Sequence, residues 1–381
     1  MKKVLFLILC AVLCCPCVIY GEETDLTPQA SASVLMDYDS REILYEKNMH
    51  EKLYPASMTK MMSLYLVLKA VHQGNLKWED SVTASSHAAE MGGSQIYLEE
   101  GEQMSVLDLF KASTVASAND AITALAEKVS GSESAFVNKM NETAASFGCK
   151  DTHFVNPTGL HDENHVSSAY DMALIASYLI EEGQDELLQY TSLLEDYIRE
   201  DSEQKFWLVN TNKMLRSYQG MDGLKTGYTS QSLYCITVTA LRDGMRLIAV
   251  VMHEPDKNTR SKEAAALLDY GFANYQVSEL IKENEFSEVI QIDKGVPKWI
   301  EITNRDALKL THQRTDSISE TDRKIILKEL HPPIQTGELV GEMILQLSNG
   351  KKVSSSLIAK QASDKMTFWP IFIHCLEQVI F

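Results

Sequence analysis

Two long apolar runs, Leu233 to Leu241 and Met245 to Met252, are separated only by Arg242-Asp243-Gly244. An Asp-Gly step between such runs favours a tight turn, so the pair reads as a β-hairpin. A second pair stands near the other end of the chain, where Ala32 to Met36 and Glu42 to Tyr45 flank the polar turn Asp37-Tyr38-Asp39-Ser40-Arg41. Between the two pairs the apolar spacing is helical. Met58, Met61, Met62, Leu64, Tyr65 and Leu68 mark one helix, ending at about Val71. Ile122, Leu125, Ala126 and Val129 mark another after Ser117-Ala118-Asn119-Asp120, and Phe136, Met140, Ala144 and Phe147 a third. Further helices are predicted over Ser168 to Leu179 and over Ser261 to Tyr275. Strands at both ends of a helical middle predict an α+β unit with one mainly antiparallel sheet.

After Val277 the pattern changes. Glu288 to Ile292, Trp299 to Ile302, Ala307 to Thr311, Lys324 to Leu327, Gly341 to Gln346 and Lys352 to Ile358 read as short strands at regular spacing. That predicts a small all-β domain, with no catalytic constellation visible in it. From Met366 to Phe381 the spacing is helical again, through Phe368, Trp369, Phe372, Leu376, Val379 and Ile380. The segment is shorter than the ~20 residues a membrane span needs, so it reads as an interfacial anchor or as a helix docked on the β domain. At the other terminus Lys2 and Lys3, an apolar stretch from Val4 to Ile19 and the small Gly21 predict a secretory signal. The expected organisation is therefore a signal over 1–21, a main domain over 22–276, a β domain over 277–362 and an amphipathic tail over 363–381.

Outside the signal only Cys149, Cys235 and Cys375 remain, too few and too scattered for a disulfide framework; buried free thiols are expected. Acidic residues number 53 against 35 basic, a formal charge of −18 that argues against a nucleic-acid partner.

The stretch Tyr54-Pro55-Ala56-Ser57-Met58-Thr59-Lys60 carries the first chemical signal. It puts Ser57 at or near a helix N-terminus, where the dipole favours a developing anion, with Lys60 on the same face three residues on. A serine is a poor nucleophile until a base takes its proton, and a desolvated lysine can do that. Alone, a capping serine beside a solvated lysine is the plainer explanation. Ser117-Ala118-Asn119 and Lys225-Thr226-Gly227 are equally ordinary taken singly, as an N-cap and a strand edge. Their order and wide spacing, 60 residues from Ser57 to Ser117 and 108 from there to Lys225, make the set informative.

This trio resembles the motif set of penicillin-binding proteins and serine β-lactamases. Four longer stretches carry the resemblance further: the one around Ser57, Ser117-Ala118-Asn119-Asp120 with Ala124-Leu125-Ala126-Glu127, His153-Phe154-Val155-Asn156-Pro157-Thr158-Gly159-Leu160, and Asp222-Gly223-Leu224-Lys225-Thr226-Gly227. All four look like the D-alanyl-D-alanine carboxypeptidases, the low-molecular-mass penicillin-binding proteins. The similarity is close over about residues 30 to 275 and looser over the β domain and tail. It implies a β-lactamase/penicillin-binding-protein-like transpeptidase fold, an antiparallel sheet with a helical subdomain, followed by a small all-β domain. The activity implied is removal of the terminal D-Ala from peptidoglycan stem peptides, outside the cytoplasm on the outer face of the membrane, with β-lactams as inhibitors and neither cofactor nor metal.

The resemblance also implies roles. Ser57 would attack the carbonyl of the D-Ala-D-Ala bond with Lys60 as base, and Ser117 would relay a proton to the leaving amine. Asn119 would hold the peptide backbone and Lys60. Lys225 would supply positive charge, and the N–H groups of Ser57 and Tyr228, the latter after Gly227, would form the oxyanion hole. Thr226 and Arg260 would bind the substrate carboxylate, for which the arginine fork is suited.

Gln231-Ser232-Leu233-Tyr234-Cys235 departs from the family, which usually has a small residue and glycine before this strand. The tail is also poor in basic residues, which weakens the expectation of a membrane anchor. His161-Asp162-Glu163-Asn164-His165 has a histidine spacing that suggests a metal site, but it lies in a polar loop and lacks the His-Glu-x-x-His order, so solvated histidines are expected. A β-lactamase would need a glutamate base before the third motif; Glu163 lies in the right region, within a loop that matches the carboxypeptidases instead. A non-catalytic wall-binding scaffold is the alternative from another class, disfavoured because all three motifs are complete.

Overall fold

A computed structural model describes residues 25–200 and 203–366. The expected signal and most of the expected tail, with Cys375, lie outside the described residues. The elements that position the site are β1 (Ala32–Asp37), β2 (Ile43–Lys47), α1 (Lys60–His72), α2 (Asn119–Ser130), α3 (Glu133–Ser146), α4 (Ala169–Thr191), β3 (Glu195–Ile198), β4 (Phe206–Val209), β5 (Met221–Thr229), β6 (Leu233–Arg242), β7 (Met245–Glu254) and α5 (Lys257–Asn274).

The main sheet is antiparallel throughout, in the order β2-β1-β7-β6-β5. Its central strands are covered on both faces, which is why they read as unbroken apolar runs rather than alternating ones. Val34 and Met36 of β1 and Ile248, Val250 and Met252 of β7 pack into a core shared with α1, α2 and α4. The intervening residues Leu35, Leu247, Ala249 and Val251 pack on the opposite side with Ala264, Leu267 and Leu268 of α5. The unit therefore has three layers, helices on sheet on helix. Each buried Leu, Val or Met contributes about 1.5–3 kcal/mol relative to exposure. The two sequence-predicted hairpins stand where expected, with β1 and β2 joined across Asp37–Arg41 and β6 and β7 across Asp243-Gly244.

The β3–β4 hairpin was not foreseen. Its strands are four residues each, too short to give a periodicity signal. After α5 the chain continues as β8 (Tyr275–Ile281), a strand that runs through residues 276 and 277 and pairs with β11 (Leu308–Gln313) in a two-stranded ribbon. The remaining β9 (Glu288–Gln291), β10 (Trp299–Asn304), β12 (Glu320–Leu327), β13 (Leu339–Leu347) and β14 (Lys352–Ala359) form a second antiparallel sheet in the order β9-β10-β14-β13-β12. It has its own core of Ile290, Ile300, Ile302, Met343, Leu345 and Leu357 among others. Among the described residues no helix is long and apolar enough to cross a membrane.

Candidate active site

The first motif folds as a short 3₁₀ turn, Ala56–Thr59, that runs directly into α1 at Lys60. Ala56 is held at φ 46°, a left-handed conformation that costs a residue with a Cβ about 1 kcal/mol or more and bends the chain so that Ser57 faces the cleft. Lys60 is fully buried, and its Nζ touches three oxygens: Ser57 Oγ at 3.0 Å, Asn119 Oδ1 at 2.6 Å and the Thr158 carbonyl at 2.8 Å. Burial pushes the Lys60 amine well below the ordinary lysine range, with repulsion from Lys225 adding to it and Asp120 opposing it. A neutral amine has two N–H groups and one lone pair. The Asn119 side-chain oxygen and the Thr158 carbonyl can only accept, so they take the two N–H groups. In that neutral form the lone pair would face the Ser57 hydroxyl, the one partner of the three that can donate as well as accept.

The second motif follows a π-helical turn, Ala112–Ala116, that ends at Ser117 with φ 63°. The wide turn and the left-handed residue together place Ser117 ahead of α2, which begins at Asn119. Asn119 is fixed on both sides: its Nδ2 donates to the Gly92 carbonyl at 2.6 Å, and its backbone N–H donates to the Ser94 carbonyl at 2.7 Å. This assigns Oδ1 to Lys60. Next to it, the buried Asp120 carboxylate accepts from the backbone N–H groups of Ile96, Leu98 and Ala121 and so ties the loop at 92–98 to α2.

The third motif lies on β5, the edge strand of the main sheet. Gly227 is required there, because a Cβ would stand 2.8 Å from the Pro55 carbonyl oxygen; its absence lets the strand edge lie against the turn that carries Ser57. Lys225 is buried, with Nζ donating to the Thr226 carbonyl at 3.3 Å. Desolvation and the neighbouring Arg260 push its pKa down to about 7. Thr226 Oγ1 donates to Thr211 Oγ1 at 2.7 Å. The Tyr228 ring is exposed and tilts on Tyr234, with centroids 4.4 Å apart. Arg260, in the first turn of α5, is buried behind β6. It donates to the Cys235 carbonyl at 3.4 Å, its guanidinium lies 5.9 Å from the Tyr234 ring centroid, and its buried Nε has no partner. At the departure from the family pattern, Leu233 takes φ 53°. Cys149 and Cys235 are free thiols.

The loop after α3 completes the site. The Asn156 side-chain oxygen accepts from the N–H groups of Thr158 and Gly159, presenting the Thr158 carbonyl to Lys60. Gly159 has φ 83°, and a Cβ there would overlap the Ala56 carbonyl. Of the two histidines beyond it, His161 is exposed, with its ring edge-on to Tyr54, whereas His165 is buried, which corrects the expectation of two solvated rings. His165 Nδ1 accepts from the Val155 N–H and Nε2 bonds Thr59 Oγ1 at 2.7 Å. Desolvation pushes its pKa down to about 4, so it is a neutral strut between this loop and the nucleophile turn. Glu163 is exposed on the loop. Sequence reasoning missed three contributors: Thr158 acts through its carbonyl, Asp120 through backbone donors, and Thr211 sits on a connection after the unforeseen hairpin.

Residues 21–256 match the family model for D-alanyl-D-alanine carboxypeptidase. Among curated proteins, the D-alanyl-D-alanine carboxypeptidase DacF of Bacillus subtilis is 40% identical over 350 residues, 91% of this chain and 90% of that protein. Among solved structures, penicillin binding protein 5 from Haemophilus influenzae superposes with a TM-score of 0.71 at 33% identity, covering 88% of this chain and 98% of that one. Penicillin-Binding Protein D2 from Listeria monocytogenes, solved in its ampicillin-bound form, superposes with a TM-score of 0.58 at 32% identity, covering 64% of this chain and 98% of that one. The chain belongs to the D-alanyl-D-alanine carboxypeptidase family.

Proposed function

We propose that Ser57, Lys60 and Ser117 carry out the family's reaction, hydrolysis of the terminal D-Ala from a peptidoglycan stem peptide through an acyl-enzyme on Ser57. The carrying observation is the environment of the buried Lys60 amine: of the three oxygens it bonds among the described residues, the Ser57 hydroxyl, at 3.0 Å, is the one with a proton to give. Lys60 takes that proton as Ser57 Oγ attacks the scissile carbonyl. The oxyanion is received by the backbone N–H groups of Ser57 and Tyr228, each worth about 3 kcal/mol in comparable acyl transfers. Ser117 passes a proton to the departing D-Ala amine, and Asn119 holds both Lys60 and the substrate backbone. Thr226 and Arg260 bind the terminal carboxylate, with Lys225 and Gly227 shaping the cleft beside them. Water then enters and hydrolyses the ester, with Lys60 again as base. A β-lactam enters the same path and leaves an acyl group on Ser57.

The chain is further read as an exported protein with a signal over 1–21, a catalytic domain over 22–276, a β domain over 277–362 and a tail over 363–381. The apolar spacing of the tail, from Phe368 to Ile380, supports attachment to the outer face of the cytoplasmic membrane.

The test is release of D-alanine from a diacyl-L-Lys-D-Ala-D-Ala tripeptide, with intact mass read after a penicillin pulse. The wild type should release D-alanine and gain one penicillin mass. Ser57→Ala should lose both signals, and retained labelling would refute the nucleophile.

A further inference from the structure

Among the described residues Tyr97 is the most exposed large apolar side chain, at 71% of its surface. Its backbone, by contrast, has little freedom. The N–H groups on either side of it, at Ile96 and Leu98, both donate to the buried Asp120 carboxylate, at 3.0 and 3.1 Å. The Ile96 carbonyl accepts from Arg199 Nη1 at 2.9 Å, and Arg199 is itself clamped by both oxygens of Glu102. Tyr97 itself sits at φ 57°, where a large side chain is strained. A loop tyrosine serving only solubility has no need of such fixation.

The same loop is built into the catalytic site. Gly92 and Ser94 accept from Asn119, and Gly93 lies so close that a Cβ there would stand 2.7 Å from Asn119 Nδ2 and 3.9 Å from the Leu160 side chain. Leu160 is itself part-exposed and follows Gly159, which abuts the nucleophile turn. On its other side the Tyr97 ring meets Phe206 of β4 edge-on, with centroids 6.1 Å apart. A rigid aromatic ring with one supported edge and an open face, four residues along a fixed loop from Gly93, which abuts Asn119 of the second motif, has the form of a subsite for an extended apolar group.

Building on the carboxypeptidase reading above, we propose that Tyr97, on the loop whose Gly93 turn lies against Leu160, holds the methylene chain of the residue preceding D-Ala-D-Ala and so selects stem peptides with a long aliphatic third residue. The bond broken is unchanged; the contact acts on affinity and alignment, not on proton transfer. An alanine at that position of the peptide leaves the ring unfilled, and each methylene lost from a lysine-like chain weakens the contact.

The test compares two substrates on the full chain in detergent, diacetyl-L-Lys-D-Ala-D-Ala and acetyl-L-Ala-D-Ala-D-Ala, by the ratio of their kcat/KM values. The wild type should favour the lysine peptide by about tenfold or more. Tyr97→Ala should cut that ratio at least fivefold, mostly through KM of the lysine peptide, while Tyr97→Phe keeps it within twofold. An equal loss on both peptides, or an unchanged ratio, overturns the subsite. Absence of both D-alanine release and a penicillin adduct in the wild type would instead overturn the carboxypeptidase reading on which it rests.

Discussion

Two buried lysines divide the electrostatic work between them. Burial holds the Lys60 amine well below the ordinary lysine range beside the Ser57 hydroxyl, whereas Lys225 is pushed down to about 7, near physiological pH. In its folded environment Lys225 disfavours its proton relative to an unfolded lysine. The free enzyme therefore carries this charge below pH 7 and loses it above, and the fold gains stability from this group as pH rises from about 7 towards the ordinary lysine value. If the charge helps hold the substrate carboxylate, kcat/KM should fall through a limb near pH 7, as the profile of the free enzyme reports its own ionisations. Lys225→Gln should then cost about tenfold or more in kcat/KM at pH 6, in line with about 1.5–3 kcal/mol for a hydrogen bond to a charged group. At pH 9, where the wild type has already lost the charge, the cost should shrink to a few-fold. An equal loss at both pH values would remove the charge from the account and leave Lys225 a packing residue.

At the scale of elements, the site is made of irregular pieces held by regular ones: a 3₁₀ turn before α1, a π turn before α2, a strand edge and a loop. Gly159 is the tightest of the joints between them, with φ 83° and no room for a Cβ against the Ala56 carbonyl. Gly159→Ala should push the loop and the nucleophile turn apart. A melting temperature lower by several degrees, from about 1–3 kcal/mol of strain, and penicillin acylation slower by more than tenfold are the expected outcomes. An unchanged acylation rate would mean that the turn is set by α1 alone. The same joints mark what the sequence could and could not disclose. Ser57, Lys60 and Asn119 stood out in the sequence by the types and order of their side chains, and the fold brings the three together at the Lys60 amine. The Thr158 carbonyl did not stand out, since any residue supplies one, and only the Asn156 turn aims it. His165 was misjudged because a polar local sequence gave no hint that Thr59, 106 positions away, would bury it. Likewise β1, β6 and β7 were legible from long apolar runs, while β3 and β4 were hidden by their brevity and β8 by its place directly after a helix.

Over the whole molecule, the second sheet and its ribbon are joined to the first unit by polar bonds and by part-buried Tyr275 and Val277 at the end of α5. Thr311 Oγ1 donates to the buried Asp37 carboxylate at 2.8 Å, the Lys351 ammonium pairs with Glu42 at 2.6 Å, and the β8–β11 ribbon grows out of the end of α5. Among the described residues none of the proposed site residues hydrogen-bonds to a residue beyond Asn274. The Listeria structure matches 64% of this chain with 98% of its own, so the likeness to that penicillin-binding protein needs only part of this chain. A chain ending at Asn274 should therefore fold. Its losses include a hydrogen bond to a buried carboxylate, about 1.5–3 kcal/mol, a half-exposed ion pair of about 0–1 kcal/mol, the Arg314 bonds to the Asn274 and Phe272 carbonyls, and the part-buried packing of Tyr275 and Val277. For a unit of this size that corresponds to a melting temperature lower by roughly 5–10 °C. Penicillin acylation of Ser57 should stay within about threefold of the full chain, because the proton inventory at Lys60 is closed within the first unit. A folded fragment that no longer acylates would show that the second sheet reaches the site through the β1–β2 edge, where Asp37 and Glu42 sit, and would make the β domain part of the catalytic machinery rather than a separate module.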